Sequence, residues 1–204
     1  MAAVVHSGGD ASMAAPGADD LERRYAQPHR RYHTSVHVEA VVRDGRWLAA
    51  EVQLPPADRA LLTLAACAHD VVYDARPGED EHASAAWARE QLVAAGVDEA
   101  IVRRVEQLVL NTLTHEGEAG DTVSDVLLDA DLAILGADPA GYDSYVRGVR
   151  AEFAAVPGEL WRVGRAQVLA RLLDRDPLFR TAPARQRWEA AARANIGREL
   201  LTLR

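Results

Sequence analysis

The residues of this 204-residue chain that are best suited to chemistry are polar side chains at positions where apolar ones are expected. Between Asp121 and Asp138, steps of three and four residues connect a stripe made largely of leucine, and Asp131 lies in the middle of it. A carboxylate on the buried face of a helix needs an arginine, hydrogen-bond donors or a metal ion as its partner. Asp131 is therefore a candidate metal ligand.

Histidines occupy the other unusual positions. The adjacent pair His69 and Asp70 ends a segment that is otherwise apolar, and His115 follows a second segment of that kind. His33 and His37 are four residues apart, so a helix would direct both imidazoles from one face. Neutral imidazoles and carboxylates both bind divalent metal ions. We therefore expect these remote segments to converge on a shared metal ion.

The segments that must position these residues have the composition of helices. Ala, Leu, Arg and Glu dominate between breaks of Gly and Pro, and runs that alternate between apolar and polar residues are absent. The sequence predicts an all-α, single-domain bundle of about seven or eight helices. The predicted helices span residues 30–43, 57–72, 80–95, 98–113, 121–136, 139–155, 158–174 and 183–202.

Composition excludes several classes of function. The chain contains no lysine, so a Walker phosphate loop and a Schiff-base lysine are both excluded. The net charge of -8 argues against a general nucleic-acid surface and against an anionic membrane surface. Cys67 is the single cysteine and no apolar run is long enough for a membrane span, so we expect a cytoplasmic protein. Residues 1–20 are small and polar, and they predict a disordered leader before a helical domain over 21–204.

The motifs around these residues resemble the HD superfamily of metal-dependent phosphohydrolases, and especially a bacterial group of predicted HD phosphohydrolases. The resemblance spans about residues 21–202 and is carried by YHT at 32–34 with His37, HDVVYD at 69–74, DADLAILG at 129–136 and the segment 150–156. It implies an HD-type bundle in which the metal ligands are His37, His69, Asp70 and Asp131. His33 competes for the first imidazole position, and Asp129 competes with Asp131.

The resemblance also implies a reaction, the hydrolysis of a phosphate ester or anhydride of a small molecule or nucleotide by metal-activated water. Asp70 is the expected catalytic residue, because it would bind or bridge metal ions and orient the water. The mixed nitrogen and oxygen ligands suit one or two ions of Mn, Fe, Co, Ni or Zn better than Mg. His115 falls where some HD branches supply an imidazole to a second metal. The chain lacks the HDIGK continuation and has Tyr73 where several nucleotidase branches have glutamate, so the substrates of those branches are not expected.

Other residues are candidates for substrate binding. Arg30 and Arg31 lie one turn before the first histidines and are expected to clamp a phosphate, while Tyr32, Tyr73 and Glu81 are expected near the substrate. The helices after residue 139 are expected to be mainly structural. The expected partner is a small phosphorylated molecule, and a homo-oligomer is compatible with the sequence. Two alternative functions are a di-iron oxygenase, with His33 and His115 as extra ligands, and a nucleotide-sensing module without turnover.

Overall fold

A computed structural model describes residues 1–203 and contains ten α-helices, one short 3₁₀ helix and no strand within that range. This confirms the predicted all-α bundle, although the predicted number of helices was too low. The helices are α1 (Ala2–His6), α2 (Ala11–Tyr25), α3 (Ser35–Glu51), α4 (Pro56–Ala68), α5 (Glu79–Ala94), α6 (Glu99–Thr114), α7 (Thr122–Asp131), α8 (Pro139–Glu152), α9 (Gly158–Leu173) and α10 (Ala182–Thr202). The 3₁₀ helix, Leu132–Gly136, follows α7 directly.

The two additional helices, α1 and α2, contain most of the region that was expected to be a disordered leader. Asp10 caps α2, where its Oδ1 accepts the backbone N–H of Ser12 at 2.7 Å. α1 packs on α4 and α2 packs on α5, and these contacts bury Val4 and Ala14. The expectation of disorder failed because alanine-rich segments become stable helices when tertiary packing covers one face, and local composition does not reveal that packing.

The centre of the bundle is formed by α3, α4 and α7, which contact one another, with α6 packed against α4 and α7. Leu48, Ala65, Val105 and Leu127 are fully buried where these helices meet. α4 begins at a proline pair, which suits the first turn of a helix. Within residues 1–203 no helix has both the length and the apolar character that crossing a bilayer requires.

The predicted helix over 121–136 is divided at Asp131 into α7 and the 3₁₀ helix. Gly136 ends the 3₁₀ helix against α10, where an added Cβ would lie 2.5 Å from the Cβ of Trp188. Only glycine permits this close approach of the two backbones. The contact fixes the segment after Asp131 against α10.

The first predicted helix starts five residues later than expected, after a bend over residues 31–34. In this bend, Glu152 Oε1 accepts the backbone N–H groups of Arg31, Tyr32 and His33 at 2.7, 2.8 and 2.9 Å. The carboxylate of Glu152, at the end of α8, thus binds three backbone N–H groups and holds residues 31–33 in a bend before α3 begins. His33 and His37 therefore do not share a helical face, and the prediction that they do was wrong.

Candidate metal centre

His37, His69 and Asp70 come together in the middle of the bundle. Nε2 of His37 lies 3.2 Å from Nε2 of His69 and 3.4 Å from Oδ2 of Asp70, and Nε2 of His69 lies 3.1 Å from that same Oδ2. His37 comes from the first turn of α3, while the other two residues follow the last turn of α4. These three residues form a group that could hold a metal ion.

Asp131, the last residue of α7, adds a second carboxylate to the group. Its Oδ1 lies 3.2 Å from Nε2 of His37 and 3.5 Å from Nε2 of His69. The imidazoles are almost completely buried, while the side chains of Asp70 and Asp131 are 17% and 14% exposed. The carboxylates therefore form the side of the cluster that solvent reaches. We call these four residues the His–Asp cluster.

The separations among His37, His69 and Asp70 fit a common ion. Ligand atoms bound ~2.1 Å from one ion are ~3.0 Å apart at right angles and ~3.4 Å apart in a tetrahedron. The five separations given above run from 3.1 to 3.5 Å. Two nitrogen and two oxygen donors also match what divalent transition metals accept. His37, His69 and Asp70 therefore fit a metal ion in both spacing and chemistry, and Asp131 lies beside both imidazoles.

The protonation of His69 supports the same conclusion. Its Nδ1 lies 2.9 Å from the carbonyl oxygen of Ala66, and a carbonyl can only accept, so Nδ1 carries the proton. In the neutral ring, the lone pair is then on Nε2, which points at the other three donors. A backbone carbonyl that fixes the tautomer of an imidazole in this way is a common feature of metal-binding histidines.

The charges in the His–Asp cluster favour additional positive charge. Burial by itself lowers the pKa of His69, but the charge of Asp70 and the hydrogen bonds that His69 can donate to both carboxylates raise that pKa well above its usual value. Burial raises the pKa of Asp131, but hydrogen bonds from His115 and His37 bring it well below its usual range. Two carboxylates therefore remain ionised at a nearly buried site, where positive charge from protons or from a metal ion must balance them.

Asp129 lies on the opposite side of α7 from the His–Asp cluster. Its two carboxylate oxygens accept the backbone N–H groups of Arg180 and Thr181 at 2.8 and 2.7 Å. The residue is buried, and it holds the chain just before α10. Of the two aspartates that competed in the sequence, only Asp131 faces the histidines.

His33 lies beside the His–Asp cluster, and its Nε2 is 4.0 Å from Oδ2 of Asp70. Its other ring nitrogen, Nδ1, lies 2.7 Å from Oε2 of Glu152. Tyr73 stacks on the ring with centroids 4.0 Å apart. Burial opposes ionisation of Glu152, but the hydrogen bond from His33 lowers the pKa of that carboxyl to about 2. The segment 150–156 is part of the motif resemblance, but Glu152 itself was not predicted to be at the site, because the sequence does not show that it reaches a bend 119 residues earlier.

His115 lies on the opposite side of Asp131. Its Nε2 lies 3.0 Å from Oδ2 of Asp131, which leaves Oδ1 facing the other imidazoles. His115 follows the last residue of α6, and its backbone lies in the left-handed region, with φ 51° and ψ 40°. This backbone conformation is unusual for a residue other than glycine. Arg180 holds it there by donating to its carbonyl oxygen at 3.1 Å. In this arrangement His115 orients Asp131.

Arg30 does not have the geometry of a phosphate clamp, and that prediction was wrong. The residue is 3% exposed, and its guanidinium donates to the carbonyl oxygens of His33, Asp70 and Val71 at 2.9, 2.7 and 2.9 Å. Nη1 makes two of these bonds and Nη2 one, while Nε donates to Oε1 of Gln27 at 3.3 Å, so the guanidinium is used within the fold. Arg30 joins the bend before α3 to the segment after α4, so it fixes the relative position of two parts of the site.

The other residues predicted to contact substrate differ in how close they lie to the His–Asp cluster. Arg31 is exposed and donates to backbone carbonyls of its own segment, outside the His–Asp cluster. Tyr32 packs on the ring of His37 with centroids 4.8 Å apart. Glu81 accepts the N–H of Gly78 at 2.6 Å and so closes the first turn of α5, although it also borders a cavity beside the cluster.

Two adjoining cavities of about 720 and 600 Å³ open beside the His–Asp cluster. Both are bordered by residues of the site and by a wall from α8 and α9, and the shared lining includes His33, His115, Asp131, Tyr145, Val168 and Arg171. Volumes of this size suit a small molecule. The wall was expected to be structural, and the sequence offers no signal that it faces the site.

Comparison with known proteins adds no assignment, because no family model, curated protein or solved structure matches this chain.

Proposed function

We propose that this chain is an HD-type, metal-dependent phosphohydrolase that cleaves a phosphate ester or anhydride of a small organic molecule. The proposal depends mainly on one observation, the separations of 3.1 to 3.4 Å among the donor atoms of His37, His69 and Asp70. Asp131 lies beside them, with its Oδ1 3.2 and 3.5 Å from the two imidazoles. It agrees with the motif resemblance, which names the same four residues. A divalent ion at this position would activate water and polarise a phosphoryl oxygen.

The residues of the chain divide the work around such an ion. His37, His69, Asp70 and Asp131 would hold it, and Asp70 is also placed to accept a proton from water because its side chain is partly exposed. His115 would keep Asp131 oriented through its hydrogen bond of 3.0 Å. The rigid tie made by the guanidinium of Arg30 would keep the donors at fixed separations during turnover.

Arg171 and Arg175 are the cations best placed to bind the negative charge of a phosphate. Both line the larger cavity together with Asp131, and within residues 1–203 their guanidinium groups donate to backbone carbonyl oxygens rather than to carboxylates. Arg175 is half-buried, and burial followed by the charge of Arg180 lowers its pKa. A bound anion would therefore relieve an unfavourable charge as well as position the substrate. These residues take the role that the sequence had suggested for Arg30 and Arg31.

The test begins with elemental analysis of protein purified without added metal. Activity is then measured on a panel of phosphate esters and anhydrides, with Mn, Co, Ni or Zn supplied. The decisive variant is Asp131→Asn, which keeps the shape of the side chain but removes its charge. We expect it to lose bound metal and at least a hundredfold in turnover.

Asp129→Asn is the matched control, because Asp129 is also a buried aspartate of α7 but faces away from the cluster. We expect this variant to lose stability and to keep its metal. Full metal occupancy in Asp131→Asn would remove the basis of the proposal. Two irons per chain with oxygen consumption would instead favour the oxygenase, and ligand-induced stabilisation without product would favour a sensing module.

A further inference from the structure

One face of α9 is directed at the site without packing against the bundle. Leu160, Gly164, Val168 and Arg171 follow one another at steps of four, four and three residues, so they form a single stripe along the helix. All four line the cavity of about 600 Å³ that also borders His33, Asp70 and Asp131. We call these four residues the α9 stripe.

The α9 stripe exposes apolar surface to this cavity. Leu160 is 65% exposed and Val168 is 44% exposed, although both are large apolar side chains. Phe153 and Trp161, whose rings lie 5.3 Å apart, extend the same apolar wall. Apolar surface inside a concave site gains free energy when an apolar ligand displaces water from it.

Gly164 leaves a gap in the middle of the α9 stripe. A Cβ added at this position would meet no atom within 4 Å, so the space beside the helix is open. Glycine is a poor helix former, and here no close backbone contact or unusual backbone conformation requires it. The gap widens the cavity between the two apolar side chains on the stripe.

We propose that the α9 stripe binds a bulky apolar or aromatic group of the substrate while the phosphoryl group lies at the His–Asp cluster. The part concerning the phosphoryl group rests on the proposed function. The substrate class is then a phosphate ester or anhydride of a large, flat or apolar organic group. Inorganic pyrophosphate, polyphosphate and phosphates of small polar alcohols lack the surface that would cover Leu160 and Val168.

The experiment fills the open space beside Gly164 with a large side chain. Gly164→Trp places an indole in this open space. Gly197→Trp is the matched control, because Gly197 is also a helical glycine with no atom within 4 Å of an added Cβ. Gly197 borders neither cavity of the site. Circular dichroism and thermal melting verify that both variants fold. The probes are 1-naphthylmethylphosphonate and methylphosphonate, which are not hydrolysed, and calorimetry measures their binding to protein with its metal as purified.

We expect the native chain and Gly197→Trp to bind the naphthyl probe at least tenfold more tightly than methylphosphonate. In Gly164→Trp the naphthyl probe should lose at least tenfold in affinity, while methylphosphonate changes less than twofold. Equal affinity for the two probes, or an unchanged naphthyl affinity in Gly164→Trp, would overturn the proposal.

The two proposals fail in different ways. Stripe-dependent binding of the naphthyl probe, with no turnover of any phosphate ester in the presence of supplied metals, contradicts the hydrolase and supports the apolar subsite. Turnover that is equally fast for methyl and naphthyl phosphates, and unaffected by Gly164→Trp, contradicts the subsite and supports the hydrolase.

Discussion

Replacing Arg30 by methionine should destabilise the fold and loosen the His–Asp cluster. Methionine fills much of the same volume, so the change mainly removes the guanidinium and its hydrogen bonds. That guanidinium donates to the carbonyl oxygens of His33, Asp70 and Val71, on both sides of the site. Its loss therefore leaves three carbonyl groups without their donor.

The structure sets the size of the effect. A hydrogen bond from a charged group contributes ~1.5–3 kcal/mol, so three such bonds give an upper range of about 5–9 kcal/mol. Removing the side chain also removes the cost of burying a cation, and water can reach the carbonyls that are not fully buried. We therefore expect the free energy of unfolding of Arg30→Met to fall by about 3–5 kcal/mol.

Urea unfolding followed by circular dichroism measures this loss, and mass spectrometry of the purified protein measures the accompanying fall in bound metal. Arg31→Met is the matched control, because Arg31 is the next residue and its side chain is exposed. We expect its free energy of unfolding to change by less than about 1 kcal/mol. A different result for Arg30→Met would refute its structural role. A loss under about 1 kcal/mol in Arg30→Met, together with a raised KM and full metal content, would mean that Arg30 binds substrate phosphate.

Two further predictions concern parts of the fold away from the site. Asp20 accepts a hydrogen bond from Trp87 at 2.7 Å, and hydrogen bonds from Arg24 and then Trp87 lower its pKa to about 2. The ionised Asp20 carboxylate therefore contributes about 1 kcal/mol to the free energy of unfolding after solvent screening, and this contribution is complete above about pH 4 and lost as the pH falls through about 2. The free energies of unfolding of the native chain and Asp20→Asn should converge over that range. A difference that stays constant with pH would contradict this prediction. Gly136→Ala should cost about 1–3 kcal/mol because its Cβ would overlap Trp188, and an unchanged melting temperature would show that the two backbones separate freely.

The fold class and most helix positions were readable from the sequence, because they depend on local composition and on punctuation by proline, glycine and aspartate. The predicted segment 80–95 lies within one residue of α5, Glu79–Ala94, and 139–155 agrees with α8 at its start. Residues 1–20 were not readable in this way, because their helices depend on packing against α4 and α5.

The same division applies to the site. Asp131 was identifiable because a carboxylate on an apolar stripe conflicts with burial, and His69 and Asp70 because they end an apolar helix. Glu152, Arg171 and the role of Arg30 were not identifiable, since each depends on contacts between distant parts of the chain.

The sequence by itself determined most helices after residue 30 and several residues able to bind metal, because helical periodicity and burial act over a few neighbouring positions. Only the tertiary structure decided which donors meet, that Asp129 turns away from Asp131, and that α9 forms a wall of the site. Those outcomes depend on how helices far apart in the chain pack against one another. The spacing of residues along the chain does not specify that packing, because many arrangements of the same helices bury similar apolar area.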